Sequence, residues 1–248
     1  MKIIDAVRSA IGPKEEKKRC CAVVVAAGRG ERMNSSINKQ FIEVSGKPIL
    51  AYCLETLQSC SCIEEIVLVA REEELFNAAD LVKKYGIAKV KQIVRGGETR
   101  QASVMAGLSA VKKEYQFVAV HDGARPFVLA EDVERTVFAA FETGAAALGV
   151  RLVDTIKECD INQLIVRTVD RSRLWKVQTP QVFATHILWS AYGNAAKKEI
   201  SVTDECMAVE KLNIKIKMIE GSGENIKITM PDDLAVAEAI LSLRGERG

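Results

Sequence analysis

Residues 21–33 read CAVVVAAGRGERM and join an apolar run to a glycine-rich loop. The run 21–25 predicts a buried strand, and Gly28 and Gly30 follow it closely. Because glycine has no Cβ, the backbone N–H groups of such a loop can approach a phosphate. The stretch therefore indicates an α/β fold that binds a phosphorylated ligand after its first strand.

Two cations follow at short range, Arg32 within the loop and Lys39 just beyond it. An isolated Arg or Lys is usually a solvated surface charge, but beside a phosphate-type loop we favour a functional role for both. Fixed cations stabilise the negative charge that develops when a phosphorus centre reacts. The combination indicates transfer chemistry on a triphosphate rather than nucleotide storage.

Two common nucleotide-binding motifs do not fit this loop. Met33 occupies the place of the third glycine of the dinucleotide fingerprint, and the acidic residue expected about 20 residues later is missing. No Gly-Lys-Ser or Gly-Lys-Thr follows, as a P-loop requires. A nicotinamide-dependent dehydrogenase and a P-loop NTPase are both disfavoured.

Apolar runs and helical patterns alternate along the rest of the chain, which is typical of a parallel sheet built from strand–helix–strand units. The strands are continuous hydrophobic runs, as expected where both faces of a sheet are covered. The pattern predicts an α/β fold with a Rossmann-like, mostly parallel sheet and helices on both faces. The predicted strands are 22–26, 66–70, 90–94, 117–121, 145–150 and 214–219, and the predicted helices are 48–58, 72–85, 100–112 and 130–142.

One segment, residues 151–175, interrupts this alternation. Two short β-like pieces, 152–157 and 164–169, flank a polar turn there and predict an inserted β-hairpin arm. A lone two-stranded hairpin is barely stable in water. We therefore expect the arm to pack on a second copy of the chain in a homodimer.

The 248 residues are 48% hydrophobic and 27% charged, with a formal net charge of only +2, as in an ordinary globular protein. We expect no nucleic-acid partner and no membrane span, because the chain lacks a broad basic character and any apolar run of about 20 residues. Residues 1–19 are interpreted as an N-terminal extension rather than a signal peptide, which favours a cytoplasmic protein. The seven irregularly spaced cysteines are interpreted as free thiols, and two histidines are too few for a histidine-based metal centre.

Ligands of parallel α/β sheets bind beyond the carboxyl ends of the strands, so the loops after the strands are the candidate site. Glycines, cations and hydroxyls recur in these loops. Asp122, at the end of a predicted strand, is interpreted either as a turn residue or as a ligand of phosphate-bound Mg²⁺. His121 is expected to be a hydrogen-bonding residue rather than a base.

These loops form an ordered set along the chain. Its segments are Ala26-Ala27-Gly28-x-Gly30-x-Arg32-Met33, Lys39-Gln40, Gly96-Gly97-x-x-Arg100-x-x-Ser103-Val104, Val120-His121-Asp122-x-Ala124-Arg125-Pro126, Asp154-Thr155-Ile156-Lys157, Thr168-Val169-Asp170-Arg171, Leu174-Trp175, Thr179-Pro180-Gln181-x-Phe183, Thr203-Asp204-Glu205 and Asn225-Ile226-Lys227-Ile228-Thr229-x-Pro231-x-Asp233-Leu234. The set resembles the motifs of the 2-C-methyl-D-erythritol 4-phosphate cytidylyltransferase family, from the non-mevalonate route to isoprenoids. The ordered set is far more specific than any one of its motifs.

The resemblance implies a reaction between CTP and methylerythritol 4-phosphate. A phosphate oxygen of the second substrate attacks the α-phosphorus of CTP in line, giving 4-diphosphocytidyl-2-C-methyl-D-erythritol and pyrophosphate. A phosphate monoester is already anionic near neutral pH, so no strong general base is needed. The site must instead bring two anions together with cations, backbone N–H groups and Mg²⁺.

The resemblance also implies roles for single residues. Arg32 and Lys39 would stabilise the transition state, and Arg171 and Lys227 would position the attacking phosphate. The residues expected at the CTP site are Ala26, Ala27, Gly28, Gly30, Gly97, Glu98, Arg100, Ser103 and Asp122, with Asp122 also the candidate metal ligand. The residues expected around methylerythritol phosphate are Arg125, Thr155, Arg171, Thr179, Thr203 and Lys227. Thr155 and Arg171 lie on the predicted arm, and in a dimer they would serve the other protomer's site.

By the same resemblance, residues 20–243 would form a single nucleotidyltransferase domain with 151–175 as its dimerisation arm. Asn38 departs from the family pattern, where proline is usual, and so does Glu98, where aspartate is common. A ribitol 5-phosphate (pentitol phosphate) cytidylyltransferase is the nearest alternative, because it shares most of the nucleotide-site motifs. A non-catalytic nucleotide-binding regulator is a second, although it would not require Arg32, Lys39 and Lys227 together.

Overall fold

The computed structural model describes residues 18–28 and 39–247, in which strands and helices alternate. The strands are β1 (Cys20–Val25), β2 (Glu43–Val44), β3 (Lys47–Pro48), β4 (Ile63–Ala70), β5 (Val90–Arg95), β6 (Phe117–Asp122), β7 (Ala145–Arg151), β8 (Ile156–Cys159), β9 (Ile165–Val169), β10 (Trp175–Ala184) and β11 (Lys217–Glu220). The helices are α1 (Ile49–Ser59), α2 (Leu75–Lys84), α3 (Arg100–Ala110), α4 (Ala130–Thr143), α5 (Thr185–Lys197), α6 (Glu205–Glu210) and α7 (Asp232–Arg247). None of the helices in this part of the chain combines the length and the apolar content of a membrane span.

Seven strands form one sheet in the order β11-β7-β10-β6-β1-β4-β5. All neighbouring strands are parallel except β10, which runs antiparallel to both β6 and β7. The predicted mostly parallel sheet is confirmed. The chain leaves β1 towards β4 on one side and later returns to β6 on the other, and such a reversal opens a crevice beyond the strand ends.

The sheet separates two hydrophobic cores. Ala22 and Val24 of β1 belong to the core shared with α1, α2 and α4, whereas Cys21 and Val23 belong to the core shared with α3, α5 and α6. Successive residues of a strand point to opposite faces, and here both faces are covered. Helices on both faces are thus confirmed, and the coverage explains why the strands are continuously apolar.

Strands β8 and β9 form a separate antiparallel hairpin within the predicted arm. The inserted hairpin is therefore confirmed, but its first strand begins at Ile156 rather than at the predicted residue 152. Its apolar side chains are largely exposed, and Ile161 at its turn is 97% exposed. The large apolar side chains exposed on or beside the hairpin are Val153, Ile161, Leu164, Ile165 and Val166.

Strand β10 and helices α5 and α6 were not predicted from sequence. The middle of β10 reads Gln178-Thr179-Pro180-Gln181, and proline with polar neighbours argues against a central strand. The structure accommodates this run where the pairing of β10 with β7 shifts register between Val177 and Gln181. The predicted strand 214–219 is confirmed in part, because it forms only as β11 (Lys217–Glu220).

Gly107 allows α3 to pack closely on the sheet. A Cβ at this position would lie 2.4 Å from Val23 Cγ1 and 2.7 Å from Val69 Cγ2, whereas a Cβ on Gly193 of α5 would meet nothing within 4 Å. Gly107→Ala is expected to lower the free energy of unfolding by about 1–3 kcal/mol, and the control Gly193→Ala to leave it unchanged or raise it by up to about 1 kcal/mol. Urea denaturation measures both values, and equal stability of the two variants would contradict the close contact.

Candidate functional site

A cleft of about 280 Å³ opens beyond the carboxyl ends of β1, β4, β5 and β6. Its position agrees with the rule for parallel α/β sheets. The predicted site residues that line it are Ala27, Gly28, Lys39, Gly97, Glu98, Arg100, Ser103, Asp122 and Lys227. The structure therefore brings most of the predicted nucleotide-site residues together with Lys39 and Lys227.

Backbone hydrogen bonds extend the strand ladder to the edge of the cleft. The Ala26 N–H donates to Val69 O at 2.8 Å, and the Gly123 N–H donates to Val25 O at 2.9 Å. Ala26 is consequently buried as a strand extension and does not line the cleft. A Cβ on Gly96 would lie 2.4 Å from Ala27 Cβ, so glycine is needed where the first loop meets the loop after β5.

Asp122 is a buried carboxylate in contact with three cations. Its Oδ2 lies 2.8 Å from Lys227 Nζ and 3.6 Å from Arg125 Nε, and its Oδ1 lies 3.3 Å from Arg100 Nη2. Burial alone would raise the pKa of Asp122, but the charges of Lys227 and Arg100 hold this pKa below its usual range. Asp122 therefore stays ionised and concentrates positive charge at one wall of the cleft.

Lys39 and Lys227 are held at the same edge through Ile228. The Ile228 N–H donates to Ala124 O at 2.9 Å, and the Ile228 carbonyl accepts from Lys39 Nζ at 3.2 Å. Asp233, in the first turn of α7, accepts from the backbone N–H groups after Ile228. The Lys39 ammonium group is therefore held against the residue next to Lys227, although the two lysines are far apart in sequence.

Arg125 and Thr179 lie behind the cleft wall rather than on it. Both are buried, and Arg125 Nη1 donates to Asn225 O at 2.8 Å. The Thr179 Oγ1 accepts from the Asp122 N–H at 3.1 Å and is 3.1 Å from His121 Nδ1. His121 Nε2 is 3.2 Å from the Arg125 carbonyl, an acceptor, so we assign the ring proton to Nε2 and Thr179 as donor to Nδ1.

Arg100 connects the cleft to a second buried carboxylate, Glu205. Arg100 Nη1 donates to Glu205 Oε1 at 2.7 Å and Nη2 donates to Oε2 at 2.9 Å. The Tyr192 hydroxyl also donates to Glu205 Oε1, at 2.8 Å. Burial alone would lower the pKa of Arg100, but the charge of Glu205 and its hydrogen bonds raise it above the ordinary value.

Three predicted substrate residues lie away from the cleft. Thr155 and Arg171 are exposed on the hairpin arm, where Arg171 donates to Val153 O, and Thr203 is exposed before α6. Within one chain these side chains do not line the cleft. Gly30, Arg32 and Asn38 lie outside the described residues.

The sequence did not single out Glu205, Asn225 or Gln178, although all three are buried polar residues beside the cleft wall. Asn225 Nδ2 donates to Gln178 Oε1 at 3.1 Å and so joins the loop before α7 to β10. One local signal was available for Glu205. Asp204 caps α6 by accepting from the Met207 N–H at 2.9 Å, and an Asp-Glu pair is a typical helix start.

The carboxylates near the cleft do not make a complete protein-held metal site. Within residues 18–28 and 39–247, no group of three or more His, Cys, Asp or Glu side chains could hold a metal ion. Asp122 lines the cleft among three cations and offers one carboxylate. This donor set fits Mg²⁺ held mainly by nucleotide phosphates, with Asp122 as the candidate protein ligand.

Comparisons with known proteins agree over most of the chain. A family model described as "IspD: 2-C-methyl-D-erythritol 4-phosphate cytidylyltransferase" matches residues 20–243. The protein of that name from Clostridium acetobutylicum is 47% identical over 222 residues, covering 89% of this chain and 96% of its own. The one from Alkaliphilus oremlandii is 40% identical over 233 residues, covering 94% and 99%.

Solved structures give the same result. The crystal structure of 4-diphosphocytidyl-2C-methyl-D-erythritol synthase from Anaerococcus prevotii has a TM-score of 0.81 at 32% identity and covers 91% of this chain and 96% of its own. The 2-C-methyl-D-erythritol 4-phosphate cytidylyltransferase from Thermus thermophilus has a TM-score of 0.72 at 30% identity, covering 89% and 98%. The similarity therefore spans both the sheet and the loops that surround the cleft.

Burial lowers the pKa of His121 to about 4. Between pH 6.5 and 4 the unfolded chain therefore binds a proton that the folded protein excludes, so stability should fall as the pH falls through this window. The contribution is full above pH 6.5 and on the order of 3 kcal/mol. His121→Asn should flatten this slope in denaturation measured from pH 7 to 4, whereas His186→Gln, an exposed control on α5, should retain it. Identical slopes for His121→Asn and the parent protein would contradict the assignment of a neutral buried imidazole.

Proposed function

The chain belongs to the 2-C-methyl-D-erythritol 4-phosphate cytidylyltransferase family, and we propose that the cleft is where it transfers a cytidylyl group from CTP to methylerythritol 4-phosphate. It is thus a nucleotidyltransferase, with CTP as a substrate. The observation that carries the assignment of the site is the cation cluster around Asp122 at the carboxyl edge of the sheet. Two anionic reactants have to meet, and this cluster supplies the opposing charge.

The reaction needs charge stabilisation more than proton transfer. An oxygen of the substrate phosphate forms a bond to the α-phosphorus of CTP, the bond from that phosphorus to the bridging oxygen breaks, and pyrophosphate leaves. Lys39 and Arg32 are the proposed stabilisers of charge on the α-phosphoryl group, and Lys227 positions the attacking phosphate. Lys39 and Lys227 lie close enough to act on the two reacting phosphates, because Lys39 Nζ donates to the carbonyl of Ile228, the residue after Lys227.

The nucleotide runs along the cleft in our proposal. Among the residues that line the cleft, Ala27 and Gly28 would contact the phosphates, and Gly97, Glu98 and Ser103 would contact the base and ribose. Ser103 Oγ accepts from the Gly97 N–H at 3.2 Å and donates to Thr99 O at 3.0 Å, so this loop is held in shape before CTP binds. A preformed loop loses less conformational entropy on binding.

Mg²⁺ is proposed as the divalent cation, held mainly by the triphosphate, with Asp122 as the candidate protein ligand. When bound, it would neutralise part of the triphosphate charge.

Arg125, behind the wall, is proposed to act on the second substrate's side of the cleft by fixing the Asn225 carbonyl and hence the loop of Lys227. Thr179 accepts a hydrogen bond from the Asp122 N–H and so helps to fix the backbone of Asp122.

Residues 20–243 are proposed to be one catalytic domain, with 151–175 as a dimerisation arm. The arm leaves large apolar side chains exposed, and a partner that covered them would gain their burial energy. Thr155 and Arg171 on this arm would then complete the site of the other protomer. Thr203, on the loop before α6, is likewise proposed to lie around methylerythritol phosphate, although it does not line the cleft within one chain.

Methylerythritol 4-phosphate is the second substrate in this proposal. The family model and relatives carry the methylerythritol name, so the ribitol phosphate alternative is not favoured. Pyrophosphate release with CTP should be at least about 100-fold more efficient with methylerythritol 4-phosphate than with ribitol 5-phosphate, and CTP should exceed ATP, GTP and UTP. A preference for ribitol 5-phosphate would identify the protein as a pentitol phosphate cytidylyltransferase instead. If neither substrate led to pyrophosphate release, the proposed function would be refuted.

Lys39 should matter for turnover rather than for nucleotide affinity. Lys39→Ala removes a buried cation that we place beside the reacting phosphoryl group, so kcat should fall about 100- to 1,000-fold while the KM for CTP changes by only a few-fold. The control Lys113→Ala removes an exposed lysine from the opposite end of the sheet and should behave as the parent. Unchanged kcat for Lys39→Ala would remove this residue from the catalytic role.

Mixing two inactive variants tests the shared site. Lys39→Ala damages the cleft and Arg171→Ala damages the arm, so a mixed dimer would contain one doubly damaged and one intact site. After subunit exchange at equal amounts, the activity should rise to about a quarter of the parent value if the arm serves the other protomer. No recovery, or a clean monomer in sedimentation at assay concentration, would contradict the arm assignment.

A further inference from the structure

Glu205 is a fully buried carboxylate that does not line the cleft. Its Oε1 accepts from Arg100 Nη1 at 2.7 Å and from the Tyr192 hydroxyl at 2.8 Å, and its Oε2 accepts from Arg100 Nη2 at 2.9 Å. A buried charge is costly unless it is paired and hydrogen-bonded. The bidentate geometry therefore restrains the guanidinium of Arg100 from behind the cleft wall.

The support for Glu205 is itself rigid. Asp204, the capping residue of α6, accepts from Gln181 Nε2 at 2.9 Å, and the Cys206 N–H donates to Gln181 Oε1 at 3.0 Å. The same Gln181 side chain therefore ties residues on both sides of Glu205 to β10. This anchorage fixes the carboxylate relative to the sheet rather than to a mobile loop.

Arg100 is the group through which Glu205 reaches the cleft. We infer that Glu205 is a positioning residue for CTP, because it holds the Arg100 guanidinium in the orientation that the nucleotide meets without touching the nucleotide itself. The inference rests on the proposed function. A planar guanidinium held by two parallel hydrogen bonds loses the freedom to turn, which a single contact would not achieve.

Glu205 also keeps Arg100 apart from Lys227, the other cation that lines the cleft and contacts Asp122. Arg100 lies closer to Glu205 than to Asp122, whose contact with Arg100 Nη2 is 3.3 Å. Lys227 holds Asp122 Oδ2 at 2.8 Å. Without the charge of Glu205, Arg100 would compete with Lys227 for Asp122, so Glu205 keeps Arg100 on the nucleotide side.

The experiment compares steady-state pyrophosphate release by the parent protein, Glu205→Gln, Tyr192→Phe and Glu210→Gln. Glu205→Gln should raise the KM for CTP about 10- to 100-fold, because the residue that restrains Arg100 loses its negative charge and one of its two acceptor oxygens, and should leave kcat and the KM for methylerythritol 4-phosphate within about 3-fold. Tyr192→Phe should raise the KM for CTP about 2- to 5-fold by removing one hydrogen bond. Glu210→Gln, at the exposed end of α6, is the matched control and should behave as the parent.

A double variant tests whether Glu205 acts through Arg100. Arg100→Gln should raise the KM for CTP, and adding Glu205→Gln should cause no further rise, whereas a general structural role would add its own effect. An unchanged KM for CTP in Glu205→Gln, equal changes for both substrates, or additivity in the double variant would overturn the inference. If Glu205→Gln does not fold, Tyr192→Phe takes its place. A rise in the KM for CTP alone then supports the inference, and an unchanged KM for CTP or equal changes for both substrates overturn it. An inactive parent protein would instead refute the proposed function.

Discussion

The ion contacts of one buried carboxylate, Asp122, organise the cleft. Lys227, Arg100 and Arg125 all reach it, and these cations would repel one another without a negative charge between them. The fold supplies this charge at the end of β6, a central strand whose residues are all buried. The carboxyl edge of the sheet thus becomes a surface with the charge that a polyanionic ligand needs.

Most of the polar residues behind the cleft serve to hold that arrangement. Thr179 accepts from the Asp122 backbone, and His121 is hydrogen-bonded to both Thr179 and Arg125. A second buried carboxylate, Glu205, performs the same task for Arg100. Buried polar groups of this kind are stable only when their partners are in place, so the charges that face the cleft depend on a hydrogen-bonded layer behind its wall.

The sheet, the hairpin and the position of the cleft followed from the sequence because their signals are local: apolar runs, strand–helix alternation and loops after strands. The pairing of Arg100 with Glu205 did not, since the two residues are 105 positions apart and no local pattern relates them. The hydrogen bond from the Asp122 N–H to the Thr179 hydroxyl did not follow either, because it depends on the register of β10 against β6, while the predicted place of Thr179 around the second substrate stays a prediction. The roles assigned to single residues remain predictions, among them those of Arg32, which lies outside the described residues, and of the arm residue Arg171.

The most direct test of this account is the activity of Asp122→Asn, which removes the charge of the carboxylate but keeps its size. We expect kcat/KM for cytidylyl transfer to fall at least about 100-fold, because three cations lose their common counter-charge and Lys227 and Arg100 leave their positions. Circular dichroism and thermal unfolding would verify that the variant is folded. A folded Asp122→Asn protein with kcat/KM within a few-fold of the parent would contradict the claim that this carboxylate organises the site.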